Sequence, residues 1–197
     1  GLDYVNESYV QHFIPWSKGQ EFDERLLDKA RTTLIQTGLF SMASFEKQQI
    51  TADGALPLKL EMVERKPRTV RAGLRYRTDT GIGGKAEWEH RTILGNGEHF
   101  HASLDADQVR QELMASFRKP TFMNEDLSLI VEQKFTRERD DAYDGESSSS
   151  SVGLEYQINK SLSVGAGVAY RFSRIDDDEQ DEENFGLLSF PLFVSWD

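Results

Sequence analysis

The chain has 197 residues and no cysteine, which excludes a disulfide framework, a thiol nucleophile and thiolate metal sites. Mean hydropathy is -0.58 and no apolar run reaches the ~20 residues of a membrane helix, but spanning β-strands need only ~9 to 11 residues with alternate ones apolar. Of 34 acidic and 23 basic residues, 12 and one fall in segments 138–146 and 176–183, so the net charge of -11 sits in two stretches and no basic face stands out for nucleic acid.

The chain opens at Gly1-Leu2 without a charged, apolar leader, which reads as a mature form or an excised piece. Asn6 is placed to cap a short helix through Phe13, with Pro15 as its stop. A second helix follows, with Asp23 as N-cap, Leu26, Leu27, Ala30 and Leu34 at helical spacing, and Gly38 as terminator. Strands are expected at 42–50 and 56–65, joined by a turn at Asp53-Gly54, with Leu56, Leu58, Leu60 and Met62 facing the helices. A change of character near Pro67 divides the chain into residues 1–66 and 67–197.

From Val70 the period is two: Val70, Ala72, Leu74, Tyr76 and Thr78 alternate with Arg71, Arg75, Arg77 and Asp79. After a glycine-rich turn at 80–84, Ala86, Trp88 and His90 resume the alternation, which makes a long hairpin. Alternation predicts eight strands, at 69–79, 85–93, 98–105, 109–118, 126–137, 149–158, 162–174 and 185–196. Their apolar faces include Phe100, Ala102 and Leu104, then Leu127, Leu129, Val131 and Phe135, while Glu112, Arg118, Glu132, Lys134, Glu155 and Arg171 face the other way, as a polar lumen requires. Loop parity agrees with a barrel. The connections after strands two, four and six are short, whereas the two acidic stretches follow strands five and seven and are expected as outer loops.

Val70, Gly73, Tyr76, Thr78, Asp79 and Gly81 resemble the V-x-x-G-x-x-Y-x-T-D-x-G wording of the first barrel strand in the outer-membrane assembly factors of the BamA and TamA superfamily. S-F-R-K-P at 116–120 and F-G-L-L-S-F-P-L-F-V-S-W-D at 185–197 resemble later stretches of TamA-like barrels. In residues 1–66, the order helix, helix, strand, strand, with G-L-F after the second helix and V-E-R closing the last strand, resembles the last polypeptide-transport-associated (POTRA) domain, its first strand largely missing.

The resemblance implies an α+β POTRA domain followed by antiparallel transmembrane β-barrel strands, about eight of them, the first half of a sixteen-stranded barrel. It further implies a Gram-negative outer-membrane location with the N-terminal domain in the periplasm. It places a lateral seam at Thr69, Val70, Arg71, Ala72, Gly73, Leu74, Arg75, Tyr76, Arg77, Thr78 and Asp79, where client strands are templated. Implied partners are unfolded outer-membrane proteins or autotransporters, the lipid bilayer and an inner-membrane-anchored TamB-like protein. Leu188, Phe190, Leu192, Val194 and Trp196 alternate on one side of the last strand and are expected to face lipid. The alternative is a complete eight-stranded barrel with a structural or adhesive role.

Signs of other chemistry are weak. Gly81, Gly83 and Gly84 precede no helix that would cradle a phosphate, and a hairpin turn accounts for them. His99 and His101 share a strand face but lack a third metal ligand. Asp140, Asp141, Asp144 and Glu146 miss the EF-hand spacing, and Ser147 to Ser151 lack a nucleophile's setting. The expectation is therefore no enzyme, no metal and no cofactor.

Overall fold

The structure, a computed structural model, describes residues 2–140, 143–159, 161–177 and 180–196. The chain forms two units, Gly1–Pro67 with Arg91–Gly97, and Arg68–His90 with Glu98–Asp197.

The first unit contains α1 (Glu7–Gln11), α2 (Glu24–Gln36) and an antiparallel pair, β1 (Phe40–Lys47) and β2 (Leu58–Glu64). Helix α2 begins where the Asp23 carboxylate accepts the Arg25 N–H at 2.9 Å, and the chain leaves it through Gly38 at φ 75°. Its periodic residues Leu27, Ala30 and Leu34 are buried, and Leu34 joins Val5, Tyr9, Val10, Leu39, Phe40 and Ala43 in one apolar core. Leu60 and Met62 of β2 pack against that core.

Three local features differ from the sequence reading. Helix α1 stops at Gln11 and the Asn6 side chain does not cap it. Instead Asn6 Nδ2 donates to the Leu94 carbonyl at 3.2 Å and to Asn96 Oδ1 at 3.0 Å, tying the N-terminal segment to the 91–97 turn. The β1–β2 ladder is shorter than expected because Pro57 has no N–H; its carbonyl accepts the Gln48 N–H and the pairing ends there. Glu64 takes a role that the sequence did not suggest. Its carboxylate accepts the N–H groups of Asp3, Tyr4 and Val5 at 2.7, 3.1 and 2.8 Å.

The second unit is a sheet in which each strand pairs antiparallel with its sequence neighbour. Its strands are β3 (Arg68–Arg77), β4 (Gly81–His90), β5 (His99–Ala106), β6 (Arg110–Lys119), β7 (Leu127–Asp140), β8 (Tyr143–Asn159), β9 (Leu162–Asp177), β10 (Gln180–Ser189) and β11 (Leu192–Trp196). Both β10 and β11 pair with β9 in one register, Ser189 facing Ala169 and Leu192 facing Ala166, so they are a single strand interrupted once. The interruption is Pro191, whose carbonyl accepts the Gly167 N–H at 3.0 Å but which has no N–H to return. Nine strands thus fill eight positions. Among the described residues the sheet is not closed, because β3 and β10–β11 do not pair. The alternative of a closed eight-stranded barrel is therefore not the arrangement seen.

Register carries one apolar face across the sheet. Val131, Val152 and Val168 are successive neighbours, and so are Leu129, Leu154, Ala166 and Leu192. The opposite face holds ion pairs, including Arg118–Glu155 at 3.0 Å and Lys134–Glu112 at 3.0 Å.

The two acidic stretches are not long loops. β7 and β8 stay paired up to Asp140 and Tyr143, and β9 and β10 up to Asp177 and Gln180. Residues 141, 142, 178 and 179, including Asp141 of the weighed calcium cluster, lie outside the described residues. Opposite charges face each other along the first hairpin, Arg137 with Glu146 at 3.3 Å and Arg139 with Asp144 at 3.7 Å, which lets an acidic segment stay in a ladder.

Candidate functional site

The site assembled from these elements is the free edge of β3, which among the described residues has β4 as its one strand neighbour. Strand β3 ends at Arg77, two residues earlier than expected, so Thr78 and Asp79 belong to the turn and not to the edge. The reversal comes early because Gly81 adopts φ 72°, which pairs it directly with Arg77. Gly83 and Gly84 lie within β4, not in the turn; a Cβ on Gly83 would meet the Asp107 Cβ at 2.9 Å and the Ala106 carbonyl at 3.0 Å.

Hydrogen-bond parity shows what the edge offers. Arg91 donates to the Pro67 carbonyl at 2.9 Å, in the register that continues as Thr69–Glu89 and Arg71–Glu87. In an antiparallel ladder alternate residues turn both backbone groups to the same neighbour. Thr69, Arg71, Gly73, Arg75 and Arg77 therefore turn theirs to β4, and Arg68, Val70, Ala72, Leu74 and Tyr76 turn theirs outward. That second set carries side chains on the apolar face: Val70 is 74 % exposed, Leu74 90 % and Tyr76 73 %.

On the polar face the arginines of β3 lean inward. Arg75 donates to Asp105 at 2.8 Å and to Asp107 at 2.9 Å, reaching past β4 to β5 and its turn. The Arg110 N–H, then the Arg75 guanidinium and the Val109 N–H, hold the Asp107 carboxyl down at about 2. Arg71 lies 3.8 and 3.7 Å from Glu87 and Glu89 of β4. His99 does not converge with His101 on a metal; its Nε2 pairs with Glu89 at 2.8 Å, and no group of three or more metal-ligating side chains occurs among the described residues.

The opposite edge is β10–β11. The Gly167–Pro191 bond sets its parity, so Leu188, Phe190, Leu192, Val194 and Trp196 turn their backbone groups away from β9. Their side chains lie on the apolar face at 57, 68, 79, 71 and 84 % exposure, and Phe190 falls in the gap between the two strands. A hollow of about 460 Å³ lies on the same face away from β3, lined by residues including Leu104, Leu113, Phe135, Phe172 and Arg137. It marks the border of the apolar band and brings no reactive groups together.

Residues 93–190 match the Omp85 superfamily domain. Over 207 aligned residues the chain is 25 % identical to the outer membrane protein assembly factor BamA of Nitratidesulfovibrio vulgaris, covering 98 % of this chain and 26 % of that protein. Among solved structures it is similar to BamA from Haemophilus ducreyi lacking POTRA domains 1–3, with a TM-score of 0.79 and 14 % identity over 98 % of this chain and 41 % of that one. It is also similar to CdiB from Acinetobacter baumannii, with a TM-score of 0.62 and 15 % identity over 96 % of this chain and 40 % of that one. The two structural likenesses show a shared fold, and the chain spans about a quarter of the curated relative's length.

Proposed function

Since the chain is an Omp85-superfamily member of the BamA/TamA type, we propose that it is part of an outer-membrane assembly factor whose β3 edge templates the strands of client proteins entering the bilayer. The observation that carries this reading is the row of outward backbone groups at Arg68, Val70, Ala72, Leu74 and Tyr76, presented beside apolar side chains. Hydrocarbon leaves such groups unsatisfied at a cost of several kcal/mol each, so an edge at membrane depth takes a strand. An incoming strand that pairs there gains a backbone ladder and continues the apolar face, the mode of strand addition at a sheet edge.

In this reading the second unit is embedded in the outer membrane of a Gram-negative bacterium, and its apolar face meets lipid. The first unit is a periplasmic POTRA domain. Its helix, helix, strand, strand order supports this, as does the 98 % coverage of the chain in the alignment with a BamA structure that lacks only POTRA domains 1–3. Clients are unfolded outer-membrane proteins, with autotransporters and a TamB-like partner as the TamA-type version of the same role. The chemistry is strand exchange, without an enzymatic step.

Leu74→Pro tests it. The Leu74 N–H points outward, so proline there removes a donor from the edge while leaving the β3–β4 ladder whole. Client folding in vesicles carrying the protein should fall several-fold, with β-sheet content unchanged. Unimpaired client folding would overturn the templating role.

A further inference from the structure

Glycine is a poor strand residue, since it gives up side-chain packing and chain entropy, and inside a strand it usually marks a bulge or a close approach by another group. The other strand glycines of the sheet whose surroundings are described have such a reason. A Cβ on Gly167 would meet the Val152 carbonyl at 2.8 Å, and one on Gly153 the Ala166 carbonyl at 3.3 Å. Gly84 touches Leu74 at 3.5 Å, and Gly81 has its positive φ. Gly73 has neither: its φ is ordinary and a Cβ there would have no heavy atom within 4 Å. Nothing in this chain requires glycine at that position.

Two other glycines show what fills such a space. Phe193 lies directly across from Gly165, and its ring occupies the place of the missing side chain. Tyr170, diagonal to Gly186, covers it with its hydroxyl 2.8 Å from where a Cβ would stand. This sheet pairs aromatic rings with glycines on neighbouring strands. Gly73 is a glycine of the same kind whose neighbour on the open side is absent.

The surroundings of Gly73 keep its space clear. Its cross-strand partner Lys85 turns to Glu87 at 2.6 Å. Arg71 and Arg75, two residues to either side on the same face, are drawn toward β4 and β5 by Glu87, Glu89, Asp105 and Asp107. Their aliphatic stems bound a slot floored by backbone and open toward the free edge. Relative to an added antiparallel strand, Gly73 sits at a non-hydrogen-bonded pair, where facing side chains approach most closely.

We propose that this slot receives an aromatic side chain carried on the polar face of the incoming strand, so that the β3 edge selects clients by a ring as well as by backbone. The inference rests on the templating role of β3 given above and adds the chemistry that sets register. The ring lies over Gly73 with Arg71 and Arg75 at its rim, an environment of apolar stem and nearby positive charge that suits an aromatic face better than an aliphatic chain.

The test uses the protein in detergent micelles and ten-residue strand peptides with identical apolar positions. These carry tyrosine, leucine or alanine at the central polar-face position, and binding is measured to the wild type and to Gly73→Val. Valine is compatible with a strand and has room at residue 73, so the β3–β4 hairpin is retained. The tyrosine peptide should bind about tenfold more tightly than the alanine peptide, the order that an aromatic cross-strand contact contributes, with leucine between them. In Gly73→Val the three should bind alike, at the wild-type affinity of the alanine peptide. Equal binding of all three to the wild type, or a tyrosine preference that survives in Gly73→Val, overturns the slot and leaves templating intact. Failure of every peptide to bind the wild type overturns templating, and the slot with it.

Discussion

Val168→Arg tests the assignment of faces at its most sensitive point. The apolar residues of β9 on that face are Leu162, Val164, Ala166, Val168, Tyr170 and Phe172, five steps of two residues each. At ~3.4 Å per residue they extend about 34 Å along the strand, and a strand tilt of ~40° reduces this to about 26 Å along the membrane normal, close to the ~25 Å apolar band of outer-membrane barrels. Val168 lies one residue from the midpoint, where a lipid-facing arginine costs ~2 to 4 kcal/mol. That cost corresponds to roughly a 30- to 900-fold loss in the folding equilibrium. Ala169→Arg, one residue along, points into the face that already carries Arg171 and Glu155 and should cost less than about 1 kcal/mol. Urea titration of folding into phosphatidylcholine vesicles measures both variants. Equal costs, or a larger cost at Ala169, would refute the division into a lipid face and a lumenal face.

Three further outcomes follow from the same geometry. Glu64→Ala leaves the N–H groups of Asp3, Tyr4 and Val5 without their shared acceptor and should destabilise the first unit by about 2 kcal/mol, read as a lower Tm, whereas Glu64→Gln recovers part of the loss. The Asp107 carboxyl is depressed in the folded state, so its contribution is complete above the ordinary value of ~3.9 and is lost as pH falls through about 2; an NMR titration of the Arg110 N–H should show that low midpoint, and Asp107→Asn should abolish it. Cysteines placed at Gln108 and Asn124 occupy turns at opposite ends of the sheet, and with no native cysteine present an impermeant thiol reagent applied to whole cells should label the first alone.

Where the pattern is repetitive, the sequence was legible. Two-residue alternation located all eight sheet positions within a few residues, because one face must stay apolar across every strand and a slip of one residue would invert it. Capping chemistry was equally plain at Asp23 and Gly38. Charge misled where it was taken as a sign of loops. Segments 138–146 and 176–183 read as solvated, yet their described residues lie in ladders, since a strand that rises into water needs no apolar face and cross-strand pairs such as Arg137–Glu146 compensate the acid. Contacts distant in sequence left no local trace. Neither the Arg75–Asp105–Asp107 cluster nor the hold of Asn6 on residues 94–96 follows from any period or motif. For the candidate edge, alternation indicated which side chains of β3 are apolar. The bareness of Gly73 emerged from the surroundings of the other glycines.

Templating at β3 is tested most directly by disulfide trapping between the protein and a client outer-membrane protein caught during assembly. Cysteines at Thr69, Arg71 and Gly73 face the position of an added strand in non-hydrogen-bonded pairs, where Cα atoms are ~4.5 Å apart and a disulfide can close. The account predicts crosslinks from all three to one client strand, each step of two residues along β3 moving the partner two residues the opposite way, and none from Ser128 in the interior of the sheet. Crosslinks without that antiparallel register, or equal crosslinking from Ser128, would contradict it.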